Sequence, residues 1–481
     1  MFTKSLKKSA LLLVVALLLV SVVFAACQPT GKFTPVEAPA AGKLVSGNGG
    51  SVVRYDDYFY YVNGYQGTAS APNGYDDQIR VGQIVRIKVE NIETMLKVYD
   101  SDLSSTKINE RIAELVEEHV EIVVPYFYYS SNTAVTDLNG IYIFKTEGVE
   151  RLYITTPCQD KTANGASMTE KLTLMSFKLD GSDPQTHYTF PSNAMQIMLS
   201  VKNDVVYATY VNSSVIGCIN VKTGANVLAE VEEITGAKFS KTDADNYVFF
   251  TDKDGAICRY TAGADKHEVL VANEDSEKIT YTIKSVNKDT VYYTVANTDE
   301  SYKDNLTLFY TNSTVTDHVV ALQGLPSGTY YCWNGKVVYV KKDNKSANKT
   351  LYSLVIVSGN ANTAETNVTI LDKEDNAQSI TFVKLEGDVL FYTKNSVTYF
   401  IDLAQAFDAR VADANATVTE NVFGYNMSTT ATGWATPDTI GEYTFTLSSS
   451  SVTVTKFDAA TQTNSKSVNI TLVQPIEEDA E

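Results

Sequence analysis

From Ser51 onward, short apolar runs alternate with polar turns, and the runs are built from Tyr, Phe, Val and Thr. Those residues suit a pleated, half-buried surface, so the pattern predicts strands almost throughout. The runs also repeat. YFYYV (58–62), RLYIT (151–155), DVVYAT (204–209), NYVFFT (246–251), TVYYT (290–294), KVVYV (336–340) and DVLFYT (388–393) share one form. A weaker copy, EYTFT, lies at 442–446. From Tyr207 the aromatic marker steps to Phe249, Tyr292, Tyr339 and Phe391, at intervals of 42, 43, 47 and 52 residues by subtraction.

Each copy has neighbours of its own. A strand precedes it, as in GIYIFK (140–145), KITYTIK (278–284) and SITFVKL (379–385). Another follows after a polar turn, as in SVIGCINVKTG (214–224) and GAICRYTAG (255–263). A fourth closes the unit in NVLAEV (226–231) and HEVLVA (267–272). Four short antiparallel strands per 40–50 residues is the sequence form of a propeller blade. One four-stranded sheet has two apolar faces and no partner. Stacking against like sheets covers both faces, and closing the ring removes the exposed ends. The expected fold is all-β, a single closed β-propeller of seven or eight four-stranded blades over residues 51–475. The count stays open because the last copy is weak and the N-terminal strand could complete the last sheet.

One segment breaks the pattern. Across 104–124, Ile108, Ile112, Leu115, Val116 and Val120 recur at helical spacing, and glutamates fill most other positions. Ser104 or Ser105 can cap the start, and Pro125 marks the end. The interval from Tyr60 to Tyr153 is 93 residues, twice the usual step, so the first blade carries an insertion or an irregular blade hides there. The helix is expected to cover one end of the ring, with a docking element or lid as the other reading.

The N-terminus has a different character. Lys4, Lys7 and Lys8 precede an apolar run from Ala10 to Val23, and the string VFAAC closes on Cys27. This resembles the lipobox of a bacterial lipoprotein leader, with Phe24 where that family usually carries Leu. The resemblance implies a signal peptide over 1–26 and lipid attachment at Cys27, with the protein tethered to the extracytoplasmic face of the cell membrane. Acyl chains add roughly 0.8 kcal/mol per buried CH₂, so two or three anchor firmly. Cleavage after Ala25 or Ala26 to give a soluble product, and an uncleaved span, are the competing outcomes. Residues 27–50 are rich in Pro, Gly and Ala and read as a flexible tether, while 476–481 form an acidic tail.

Charge narrows the partners. The formal net charge is −18, and removing the three leader lysines brings the mature chain to −18 − 3 = −21. Such a surface repels nucleic acid and anionic lipid. No nucleic-acid partner is expected, and the chain reads as a monomer.

Candidate chemistry is sparse. Cys158, Cys218, Cys258 and Cys332 could form two disulfides in an exported chain, but they lie among apolar neighbours without a CxxC, and buried free thiols are the first expectation. Cys218 and Cys258 fall on matching strands of consecutive units, where sheets should stand ~10 Å apart. That exceeds the reach of roughly 7 Å for a disulfide. His119, His187, His267 and His318 show no HExxH or His-x-His spacing. Asp252, Asp254 and Gly255 spell DxDG where a hairpin turn is due, without the length or distal Glu of a calcium loop. SGNGG at 46–50 precedes a strand rather than a helix, so it offers no helix N-terminus to phosphate. No catalytic, cofactor-binding or metal residue is assigned.

FFTD at 249–252, with VYYT and FYT elsewhere, resembles the YWTD strand of low-density-lipoprotein-receptor-type propellers. The whole is similar to bacterial surface lipoproteins that carry such a domain without assigned function. Only Trp333 and Trp434 are present, which departs from the receptor type. The resemblance implies a propeller with an extracellular binding role and carries over no catalytic residue. Two functions remain open. One is a non-catalytic module for a protein, peptide or glycan. The other is a lyase or hydrolase acting on extracellular polymer in the axial channel. Histidine, arginine and carboxylates converging on the axis would mark the enzyme.

Overall fold

The aromatic runs that repeat through the sequence are strands, and each is an interior strand of its own sheet. Their burial explains their composition. Tyr58–Val62, Asn246–Thr251 and Thr290–Asn297 are nearly continuous in buried residues because neighbouring sheets cover both faces. The computed structural model describes residues 35–40, 45–63, 83–124, 140–162, 165–191, 195–242, 244–297, 307–315, 318–346, 349–360, 367–371, 380–394, 397–425, 438–447, 451–458, 461 and 463–472. Over these the strands form eight sheets, the blades of a propeller, each built on consecutive antiparallel strands; in blade 5 the two residues Gly359–Asn360, from the chain of blade 6, add a parallel strand outside Val319–Gln323. Blades 1 to 8 span 45–124, 142–189, 196–232, 235–271, 279–323, 330–371, 381–425 and 438–469.

Eight blades settle the count left open by the sequence. The N-terminal strand does not complete the last sheet. Val52–Tyr55 pairs with Tyr58–Val62 in blade 1, and Val45–Ser46 adds a short inner strand to it. Closure comes instead from face packing and side chains. Phe59 of blade 1 meets Phe445 of blade 8 with ring centroids 4.8 Å apart. Buried Asn63 donates to the Leu472 carbonyl at 2.8 Å and accepts from the Leu472 N–H at 2.9 Å.

Tyrosine rather than tryptophan does much of this joining. Tyr61 donates to the Ile470 carbonyl across the closing seam at 2.9 Å, and Tyr60 to the Leu179 carbonyl of blade 2 at 3.2 Å. Tyr331 of blade 6 donates to the Val383 carbonyl of blade 7 at 2.9 Å. The Tyr292 hydroxyl of blade 5 accepts from the Gly335 N–H of blade 6 at 2.7 Å. Gly335 has φ +70° and a Cβ there would meet the Tyr310 ring at 2.8 Å, so this turn needs glycine. A phenol packs its ring between sheets and still reaches the next backbone.

Blades 1 to 7 share a further device. The pairing of third and fourth strands shifts register in each, as between Ile257 and Cys258 in blade 4 and between Leu308 and Phe309 in blade 5. Such a bulge strengthens the local twist and re-aims the side chains beyond it.

The expected helix is present and shorter than read. α1 (Val89–Val98) and α2 (Ser105–His119) are inserted between the third and fourth strands of blade 1. Ser104 caps α2 by accepting from the Lys107 N–H. The helix stops before Glu121–Val124 because that β-branched run pairs with Ile84–Arg86 as the blade's fourth strand. α1 packs on the seam with blade 8, and α2 packs on α1. Glu93 of α1 holds Lys456 at 2.7 Å and takes the Tyr443 hydroxyl bond, while Tyr99 donates to the Ser467 carbonyl at 2.9 Å. α1 was not foreseen, and neither was α3 (Leu403–Ala412), which fills the same connection in blade 7 and is capped by Asp402.

Two pieces of the stretch read as a tether lie on the ring. Val36 donates its N–H to the Asp180 carbonyl at 3.1 Å, and the Glu37 carbonyl accepts from buried Arg86 at 2.6 Å. Within SGNGG, Asn48 makes two bonds to the Ile143 backbone, at 2.8 and 3.0 Å, knitting blade 1 to blade 2. Cys27, the apolar run 10–23 and the acidic tail lie outside the described residues. Among the described residues no helix is long and apolar enough to cross a membrane.

Candidate functional site

First strands of neighbouring blades lie side by side: blade 4's beside blade 5's, blade 5's beside blade 6's, and in blade 1 Val52–Tyr55, backed by the short Val45–Ser46, between those of blades 2 and 8. They therefore form the wall of the axis. In blade 5 this strand alternates exposed Thr280, Thr282 and Lys284 with buried Tyr281 and Ile283. Lys284 sits at a bulge, since Ile283 pairs with Tyr293 and Ser285 with Tyr292. In blade 4 a similar shift precedes Lys238, which stands opposite Phe249.

The axial strands are basic although the chain is acidic. Arg54, Lys145, Lys202 and Lys384 lie on them and are engaged. Lys145 pairs with Glu150 at 2.8 Å, Lys202 with Asp245 at 3.1 Å and Lys384 with Glu386 at 2.8 Å, while Arg54 donates to the Asp56 carbonyl at 2.8 Å. Lys238, Lys241 and Lys284 have no carboxylate partner among the described residues. A recess lined by one sign of charge concentrates the opposite sign. The first hairpins narrow one end of the axis. Lys288 of blade 5 reaches Asp388 of blade 7 at 2.7 Å, and Asn287 donates to the Gly387 carbonyl at 3.2 Å.

The histidines lie elsewhere. His119 ends α2. His187 is on the fourth strand of blade 2, and His267 and His318 immediately precede the fourth strands of blades 4 and 5. Fourth strands lie three strands out from the axis, and in blade 5 Gly359–Asn360 lies farther out still, so these three are remote from the axial wall. His187 Nε2 lies 2.7 Å from Ser176 Oγ, the spacing of a base and a nucleophile. The surroundings deny that role. Ser176 is 0 % exposed, and Arg151 donates Nε–H to its Oγ at 2.8 Å. Burial, and then the Arg151 charge, push the His187 pKa down to about 4. Arg151 is in turn held by Asp183 at 2.8 Å, so the cluster locks the outer edge of blade 2.

Blade 4 gathers a different set. Cys258 stands opposite Phe250 on one side and Val269 on the other. Asp252 lies two residues beyond Phe250 and His267 two before Val269, so strand alternation puts all three on one face. The cluster shared with Cys218 and Leu228 identifies it as the face toward blade 3. The DxDG string forms the expected turn: Asp252 Oδ1 accepts from the N–H groups of Asp254 at 3.1 Å and Ala256 at 2.9 Å. Oδ2 is left facing Cys258 Sγ at 3.4 Å. His267 packs edge-on against Phe250 with centroids 5.5 Å apart. Burial and the Asp252 carboxylate push the Cys258 thiol well above its ordinary pKa. The spacing hid this grouping, because the three residues become neighbours only through two hairpins and a bulge.

Cys218, Cys258 and Cys332 are buried free thiols, as read from the sequence, and Cys218 and Cys258 are unbonded to each other. Burial pushes the Cys332 thiol up to about 12. The side chain of Cys158 lies outside the described residues.

No protein-family model matches the chain, and no curated protein does. Among solved structures it is similar to an uncharacterized protein from Listeria monocytogenes EGD-e, at 10% identity and a TM-score of 0.32, covering 70% of this chain and 96% of that one. It is also similar to the polysaccharide lyase Uly1, at 8% identity and a TM-score of 0.32, covering 78% and 91%. A third is apo AztD from Citrobacter koseri, at 10% identity and a TM-score of 0.28, covering 64% and 81%. Likenesses this distant carry no function to this chain. The fold rests on its own sheet order.

Proposed function

We propose that this chain is a lipid-anchored extracytoplasmic propeller that binds, without chemistry, an acidic segment of an envelope glycan or peptide along its axial wall. The observation that carries the reading is the row of lysines on first strands, Lys238 and Lys284 above all, left without carboxylate partners among the described residues in a chain of net charge −18. An unpaired ammonium in a recess gains most from an anion that water cannot fully screen. The histidines sit on the outer edges of their blades, away from any ligand held at the axis, which favours binding over acid–base catalysis. The anchor at Cys27 follows from the VFAAC string and gives the ring a fixed address beside envelope polymers.

Two measurements test the reading. Cys27→Ala should move the protein from the membrane fraction to the medium, and unchanged retention would remove the anchor from the proposal. The purified protein should be retarded on immobilised polygalacturonate and not on neutral dextran, with the retardation lost as salt is raised. The pair Lys238→Gln and Lys284→Gln should abolish it while leaving the melting temperature unchanged. Equal retention on both matrices, or retention indifferent to the double substitution, would overturn the axial assignment.

A further inference from the structure

We propose that Asp252, Cys258 and His267 form a binding site on blade 4 for a divalent transition cation of the zinc type. One ligand atom from each lies within 4.8 Å of the other two. Neighbouring ligands around a tetrahedral cation, with bonds of roughly 2.0–2.3 Å, stand about 3.5 Å apart. Asp252 Oδ2 and Cys258 Sγ are already at 3.4 Å, and His267 offers a ring nitrogen within 4.8 Å of both residues' ligand atoms. The donor set selects the metal. Calcium and magnesium take oxygen ligands, whereas thiolate with imidazole favours zinc and its neighbours.

The ligands are held for the task. Asp252 Oδ1 is fixed by two turn N–H groups, so its second oxygen keeps one aim. Cys258 is 0 % exposed on the third strand, among Phe250, Tyr260 and residues of blade 3. His267 and Asp252 are half-buried, which gives the cation a way in from solvent. Binding replaces the Cys258 S–H bond with a sulfur–metal bond and releases one proton to solvent, with no change of oxidation state. Three protein ligands leave a fourth position for water or a ligand atom from outside. All three come from one blade, so the cation would clip its second, third and fourth strands together at the short outer edge Glu268–Val271. The site shares no residue with the axial lysines, and failure of either leaves the other standing.

The test titrates the full chain, reduced and in detergent, with Co²⁺ and then Zn²⁺. The expected result is one equivalent of Co²⁺, a near-ultraviolet thiolate-to-cobalt charge-transfer band, and displacement of that band by one equivalent of Zn²⁺. Cys258→Ser should abolish the band, and Cys218→Ser, in the same apolar cluster, should keep it. His267→Gln and Asp252→Asn should retain a weakened band and lower zinc affinity by more than the roughly 10- to 100-fold expected for an outer partner. If Cys258→Ser fails to fold, His267→Gln decides alone, since its ring is half-exposed. Absence of the band in the unaltered chain, its survival in Cys258→Ser, or zinc affinity unmoved by His267→Gln would overturn the site.

Discussion

Blades 4 and 5 each present a histidine immediately ahead of the fourth strand, His267 before Glu268–Val271 and His318 before Val319–Gln323. The surrounding ladder is the same in both. Cys258 stands opposite Phe250, and Phe309 opposite Tyr293. The third strand then shifts by one residue, so that Cys258 pairs with Val269 and Phe309 with Val320. Two positions along the second strand, blade 4 has Asp252 and blade 5 has Val295. In blade 5 the imidazole is taken up by hydroxyls: Tyr293 lies 2.8 Å from Nδ1 and Tyr281 3.4 Å from Nε2, with Phe309 beside the ring. In blade 4 the same place holds a thiol and a carboxylate. The repeat supplies a position, and two side chains decide whether it is a plug or a ligand set.

Transplanting those two side chains is the severest way to break the comparison. Val295→Asp with Phe309→Cys should give blade 5 the constellation of blade 4. Losing the Phe309 ring and placing a carboxylate beside Tyr281 should cost on the order of 3 kcal/mol without metal. Zinc should return part of that loss, and the double variant should bind two equivalents of Co²⁺ where the unaltered chain is expected to bind one. A destabilised protein that stays at one equivalent would show that position alone does not make the site.

His187 sharpens the contrast from the other side, because its neighbours oppose its charge. Its folded pKa is about 4 against the ordinary 6.5, lowered by burial and then by Arg151. Between these values the unfolded chain takes up a proton that the folded chain refuses. Stability contributed by neutral His187 is therefore present above pH 6.5, falls as pH drops toward 4, and levels off below. The loss should be on the order of 3 kcal/mol. His187→Gln should flatten that part of the stability–pH profile measured by urea melts. A variant profile parallel to the parent's between pH 6.5 and 4 would mean that the imidazole is not held neutral.

The aromatic second strands were legible because both faces are buried, which leaves an apolar run with no polar interruption. α2 was legible because Ser104 and the glutamates bracket its apolar stripe. α1 was not. VENIETMLKV continues directly from the strand IVRIK without Gly or Pro, so Ile92 and Met95 could be read at either period. Asp402 hid α3 by ending a strand and capping a helix at once. Asp252, Cys258 and His267 were hidden for a different reason. Their spacings of 6 and 9 residues have no local meaning, and the face His267 occupies depends on the register shift at Ile257. A ladder without that shift would put Cys258 opposite Leu270 and turn His267 to the other side of the sheet.

The gentlest test removes each histidine in turn from metal-free protein. His318→Ala should strand the Tyr293 hydroxyl, which belongs to a residue 0 % exposed. Leaving such a group without its partner costs about 1–3 kcal/mol. His267→Ala takes away an edge contact with Phe250 and little else, so its cost should stay below about 1 kcal/mol. Chemical denaturation of both variants in chelator would measure the difference. If His267→Ala proved the more damaging, the imidazole of blade 4 would be a structural plug like its neighbour, and Cys258 and Asp252 would be packing around it rather than waiting with it for a cation.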